Sequence, residues 1–373
     1  MTTPANAAPP NRLDSLTSLR FFAAAAVVIL HLSLQFVLPD AIGQAAGLGY
    51  VAVAFFFSLS GFVLAWTARP GDTAGRFYSR RFARIWPSHA TVTALAIPVI
   101  FLAGGTPVWG ALPFVLTFTH VWIPSPAWHY AFNGPSWSLG AEAFFYALFP
   151  ALIRVARWQQ QRLRRLAAVT VAMMAAAALA VVLVVPDTAW GFLLYLNPLY
   201  RIGEFALGML LAMAIRRGWR APWPTWVPVA GCACVYAALL RFAPHDSEGA
   251  IPRILADFAL LPFLFAIIAA AATADITGRK TPLRSRTLVA LGDRSFALYL
   301  IHVPLITAFH AGVAGRKLDH TVNLALAIGL LVASVGAAHL LYIAVERPAE
   351  RRLREFFVRR SAQGALHGQH RGA

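Results

Sequence analysis

Arg20 and His31 stand eleven residues apart in the first long apolar run of this chain. On an α-helix that separation is three turns plus about 20°, so both side chains share one face, about 16 Å apart along the axis. An arginine grips phosphate or carboxylate through a planar fork, and an imidazole can take a proton from a hydroxyl. Taken singly, a snorkelling arginine and a packing histidine would account for the pair.

Further along, Arg80, Arg81 and Arg84 precede an apolar run. Arg81 and Arg84 share a helical face if the helix starts early, and such a cluster at a membrane surface suits phosphates. Plain topogenic charge is the competing account. The stretch Trp137-Ser138-Leu139-Gly140-Ala141-Glu142-Ala143-Phe144-Phe145-Tyr146 sets one carboxylate inside an apolar segment. Ser295, Tyr299 and His302 are spaced four and three, again one helical face. Arg201 and Glu204, three apart, can pair with each other, whereas Asp257 has no evident partner. Charged groups within apolar runs are costly and so mark cavities or partners.

The elements that must position these residues are membrane spans. Of the 373 residues, 59% are apolar and 13% charged, against roughly 25% charged in soluble domains. Runs of about 20 apolar residues occur near 17–38, 48–68, 86–103, 135–153, 166–185, 198–215, 224–242, 252–273, 288–311 and 321–345. With the N-terminus in the cytoplasm, 25 of the 32 Lys and Arg fall on the cytoplasmic side and four outside, as the positive-inside rule requires. A crossing by 107–124 would invert the later loops, so that segment is expected to be re-entrant or interfacial. The expected fold is all-α and polytopic, with about ten spans and both termini cytoplasmic. A short N-terminal segment (1–16), a transmembrane domain (17–345) and a basic tail (346–373) make up the chain.

The net charge of +17 is dispersed between apolar runs, so the expected partner is the lipid bilayer and not nucleic acid. Cys232 and Cys234 point about 200° apart on a helix, which argues against a disulfide, and no metal-ligand spacing occurs. On these spans Arg20, Arg81 and Arg84 gather at the inner surface. His31 lies past the midplane. Glu142 is expected about 8 Å inside the outer boundary, and His302 about 21 Å from the inner one.

The chain resembles the acyltransferase-3 family of membrane O-acyltransferases. The matching pieces are Leu13-Asp14-Ser15-Leu16-Thr17-Ser18-Leu19-Arg20-Phe21-Phe22 with His31; Phe55-Phe56-Phe57-Ser58-Leu59-Ser60-Gly61-Phe62; Arg81-Phe82-Ala83-Arg84-Ile85-Trp86-Pro87; Trp137-Ser138-Leu139 with Glu142 and Tyr146; Ser295 to His302; and Val345-Glu346-Arg347-Pro348. They run in order from about residue 13 to 348. The resemblance implies transfer of an acyl group, often acetyl, from acyl-CoA to a hydroxyl of a carbohydrate or glycosylated acceptor, in a multi-pass protein of the bacterial inner membrane. It implies that Arg20 and His31 are essential and that Arg81 and Arg84 serve the donor. Glu142 corresponds to the family's glutamate.

On that reading Arg81, Arg84 and Arg80 hold the phosphates of coenzyme A, and Arg20 orients the donor. His31 acts as general base or carries the acyl group. Glu142 or His302 orients the imidazole or the acceptor, and Ser295, Tyr299 or Trp137 donates to the oxyanion. No metal is called for. Acceptor choice is expected in the outer loops 39–50, 104–136, 186–197 and 243–252. The alternative is a proton-coupled transporter or flippase of a glycan or glycolipid, relaying protons through His31, Glu142 and Asp257.

Overall fold

A computed structural model describes residues 12–69, 71–243, 253–314, 316 and 318–357. Among them there is no strand. The helices are α1 (Asp14–Gln35), α2 (Asp40–Gly47), α3 (Val51–Thr67), α4 (Ala74–Leu102), α5 (Leu112–Leu116), α6 (Pro126–His129) and α7 (Trp137–Trp158). They continue with α8 (Leu163–Val184), α9 (Pro198–Arg216), α10 (Trp226–Phe242), α11 (Arg253–Thr277), α12 (Arg286–Asp293), α13 (Ser295–Val313) and α14 (His320–Leu341). Among the described residues nine helical segments are long and apolar enough to cross a membrane, and α10, with 17 residues, is a shorter apolar tenth. The chain is an all-α polytopic membrane protein.

Several boundaries move from their expected places. α4 begins at Ala74, twelve residues early, with the Thr73 side chain accepting from the Arg76 amide as N-cap. The RFYSRRFAR stretch is therefore helical, and Arg81 and Arg84 share a face. The run expected as 288–311 breaks at Arg294, which separates α12 from α13. Beyond α14 a π-helical turn (Tyr342–Glu346) leads into helix as far as Phe357. The basic tail expected from 346 thus starts as helix, and 358–373 lies outside the described residues.

The chain divides into two compact units. The first holds residues 12–68, 151–295 and 318–327. At its centre α3 and α9 cross backbone to backbone. A Cβ on Gly61 would lie 1.9 Å from the Phe205 carbonyl oxygen, and one on Gly208 would lie 1.9 Å from that of Ser58. Only hydrogen fits at either position, the small-residue contact that membrane helices use where apolar side chains gain nothing over lipid. The start of α1 is fixed by polar contacts: Asp275 accepts from the Ser15 amide (2.8 Å) and hydroxyl (2.7 Å). Gly292 of α12 abuts the Thr17 carbonyl, with no room for a Cβ.

The second unit holds 69–150, 296–317 and 328–357 of the described residues. Its chain from 103 to 136 does not cross; it folds as short helical pieces with buried polar side chains His120, His129, Asn133 and Ser136. Phe118 (φ 62°) and Phe132 (φ 60°) turn it in the left-handed region, a conformation that bulky residues rarely adopt. Asn133 Nδ2 donates to the Leu300 carbonyl (3.0 Å) in α13. The segment therefore reaches into the first turns of a spanning helix, the re-entrant path that membranes accept where protein covers the backbone.

Candidate active site

α1 is unbroken from Asp14 to Gln35, so Arg20 and His31 do share a face. Leu16, Ala24 and Val27 lie on that same stripe and are buried. Both polar residues thus belong to the inward side of the helix and are themselves half-buried. His31 Nδ1 is 2.8 Å from the Val27 carbonyl. A carbonyl only accepts, so Nδ1 carries the proton and the lone pair of the neutral ring sits on Nε2.

In the second unit, α4 and α7 run antiparallel. Phe77 stacks on Phe149 with ring centroids 5.0 Å apart, and the Tyr78 hydroxyl donates to the Ala147 carbonyl (2.9 Å). Near the other end, Phe118 lies against His89 (4.8 Å between rings) and fills the space beside Gly140. Between these ties α4 carries Arg81 and Arg84. The Arg81 guanidinium sits over the Phe77 ring (5.9 Å), Phe77 meets the edge of Tyr146 (6.4 Å), and the Tyr146 hydroxyl donates to Glu142 Oε2 (2.9 Å).

At the start of α7, the Ser138 hydroxyl lies 2.8 Å from the Tyr299 hydroxyl, and both lie within reach of the Pro135 carbonyl (3.0 and 3.2 Å), so one donates to the other and the second to that carbonyl. Tyr299 is one turn into α13, which follows the arginine-bearing stretch 279–294. Trp137, Ser138, Tyr299 and His302 are all buried. His302 Nδ1 approaches the Leu298 carbonyl (3.1 Å), which leaves its lone pair on Nε2 as well. Ser295 is buried with no hydrogen-bond partner on its hydroxyl.

Glu142 joins the arginine-bearing stretch through its partner Tyr146 and the Phe77 ring, over which Arg81 lies. Two expectations change. His302 is seven residues, about 10 Å, from the start of its helix, because α13 begins at Ser295 and not at 288. Asp257 is not partnerless: Arg201 Nη1 lies 2.8 Å from both Glu204 and Asp257, with Arg201 fully buried between Phe57 and Tyr195. Arg80 is committed to a bridge with Asp72. Among the described residues Arg81 and Arg84 form no ion pair, and Arg81 Nε is buried without a hydrogen-bond partner.

Sequence reasoning named Ser138 and Tyr146 only as parts of the motif around Glu142, without a role, and passed over Asn133. The first two lie four residues either side of Glu142, a spacing that would have singled them out. Asn133 lies in irregular chain and had no such signal. Among the described residues no group of His, Cys, Asp and Glu is arranged to hold a metal ion.

A family model described as an acyltransferase domain matches residues 13–343. The chain belongs to this acyltransferase family. It is 37% identical over 383 aligned positions to "Acyltransferase MdmB" of Streptomyces mycarofaciens, covering 92% of this chain and 94% of the relative. It is also 31% identical over 173 positions to "Protein 2 in picA locus" of Rhizobium radiobacter, which spans 40% of this chain and 84% of that protein. No solved structure gives a significant match. This acyltransferase is thus a multi-pass membrane enzyme of the O-acyltransferase type, with motif residues on α1 and α3 in the first unit, on α4 and α7 in the second, and on α13, whose Ser295 belongs to the first unit and whose later residues belong to the second.

Proposed function

We propose that this acyltransferase moves an acetyl group from cytoplasmic acetyl-CoA to a hydroxyl of a carbohydrate or glycosylated acceptor, in the bacterial cytoplasmic membrane. The observation that carries the donor reading is the pair Arg81 and Arg84. Two cations a turn apart, with no carboxylate on either, are suited to an anion with several oxygens, and coenzyme A supplies phosphates. Arg80 can join them only by leaving Asp72.

His31 is the base. Its Nε2 takes the proton of the acceptor hydroxyl as that oxygen attacks the thioester carbonyl carbon. The tetrahedral intermediate collapses, the C–S bond breaks, and the imidazolium returns the proton to the coenzyme A thiolate. Arg20 orients the donor. Trp137, Ser295 and Tyr299 are the candidate oxyanion donors, and Glu142 and His302 hold the acceptor. The carbohydrate class rests on the family resemblance, with exposed Trp109, Trp122 and Tyr130 on the 104–136 segment as the aromatic surface for it.

The test is transfer of labelled acetyl from acetyl-CoA in membranes carrying the wild type or His31→Ala, with surface glycans and small glycosides read by mass spectrometry. Loss of label with the folded variant is expected. Label that still reaches the acceptor at the wild-type rate would reject the base role.

A further inference from the structure

The first unit holds a half-open cavity of about 700 Å³ between α1, α3, α10 and α11. Its walls are almost wholly apolar: Phe22 and Ala26 from α1, Phe55 from α3, Val229 from α10 and Leu264 from α11 are typical. It follows α11 from Leu260 to Ala274, which is about 21 Å of helix. That exceeds half of a hydrocarbon core about 30 Å thick, so the full length of one leaflet's fatty chain fits along it. At the cytoplasmic end the walls give way to Trp223, Trp226, Arg279 and Lys280. Indoles at a mouth of this kind favour the headgroup level. Among the described residues neither Arg279 nor Lys280 forms an ion pair.

An apolar void of this size is costly to leave empty, since the penalty grows with volume, and water finds no partners on such walls. The solvent at hand is lipid. The two unpaired cations select among lipids by charge.

We propose that this cavity is a binding site for an anionic glycerophospholipid of the inner leaflet, one acyl chain lying along α11 and the phosphate between Arg279 and Lys280. The bound chain fills the space between the short α10 and the face of α1 that bears Phe22 and Ala26. That is not the face of Arg20 and His31, which lie about 120–180° away around the helix. The lipid is a component of the fold and not a substrate, and its presence does not depend on the identity of the acyl donor.

The test is native mass spectrometry of the full chain purified in mild detergent, stripped of lipid and offered phosphatidylglycerol or phosphatidylcholine at equal concentration. The wild type is expected to retain phosphatidylglycerol at least tenfold better. Arg279→Gln with Lys280→Gln, a surface change that leaves the core untouched, lowers that retention to the phosphatidylcholine level. Val229→Trp, which obstructs the chain, lowers retention of both. Equal retention of the two lipids by the wild type, unchanged retention in the double glutamine variant, or displacement of phosphatidylglycerol by palmitoyl-CoA at equal concentration overturns the proposal.

Discussion

The Tyr146 hydroxyl donates to Glu142 at 2.9 Å, one helical turn along α7. Through the Phe77 ring the same tyrosine reaches the underside of Arg81. Glu142 and Arg81 are thus parts of one local assembly. Removing the hydroxyl in Tyr146→Phe keeps the ring contact and deletes only the hydrogen bond to a charged group, worth about 1.5–3 kcal/mol. The expected outcome is a lower unfolding midpoint in detergent with donor affinity intact. A midpoint equal to the wild type would sink this assignment.

Arg81→Ala and Arg84→Ala are each expected to raise the KM for acetyl-CoA about tenfold or more with a smaller change in kcat, since each removes charge-assisted contacts to phosphate. Arg81→Lys recovers only part, because an ammonium lacks the fork. Initial rates against donor concentration decide. A loss confined to kcat would place these arginines outside donor binding.

His31→Ala is expected to lower kcat by about 10²–10⁴, the span for removing a general base. His31→Gln should fare no better, for an amide can hold the Val27 carbonyl but cannot accept the proton. Activity retained by the glutamine variant would show that His31 only packs.

Arg201 joins α9 to α11 through Glu204 and Asp257, all within an apolar surround. Arg201→Met strands two carboxylates and is expected to cost about 3–5 kcal/mol, seen as lost folded yield on size exclusion. Adding Glu204→Leu and Asp257→Leu removes the stranded groups and should restore much of it. A fully stable Arg201→Met single variant would contradict the arrangement.

His120 gives the fold a pH dependence. Burial, and then the neighbouring His89, push its pKa from 6.5 down to about 4. Below pH 6.5 the unfolded chain binds a proton that the folded one refuses. Stability is therefore level above that point and falls as the pH drops toward 4, by about 3 kcal/mol from this group. Unfolding midpoints measured between pH 7.5 and 4 should show the slope, and His120→Gln should flatten it.

Much of this fold was legible because apolar runs and arginine placement record the bilayer directly. The apolar helices, nine of the expected ten reaching spanning length among the described residues, and the common face of Arg20 and His31 follow from apolar run length and helical geometry. Distant side-chain ties did not. Nothing in Trp137-Ser138-Leu139 says that the Ser138 hydroxyl meets that of Tyr299, 161 residues away. The break at Arg294 was hidden likewise, since Gly292-Asp293-Arg294 interrupts an apolar run without a proline. Asp257 found its partner 56 residues away, beyond the reach of any periodicity.

The crossing of α3 and α9 has a consequence for how the enzyme diversifies. Where two backbones touch through hydrogens alone, any gained side chain forces the helices apart, so this joint is closed to drift in descendants of the sequence. The 104–136 segment carries no such lock along its exposed aromatics. Substitutions can accumulate there, one at a time, over a scaffold that inheritance holds still.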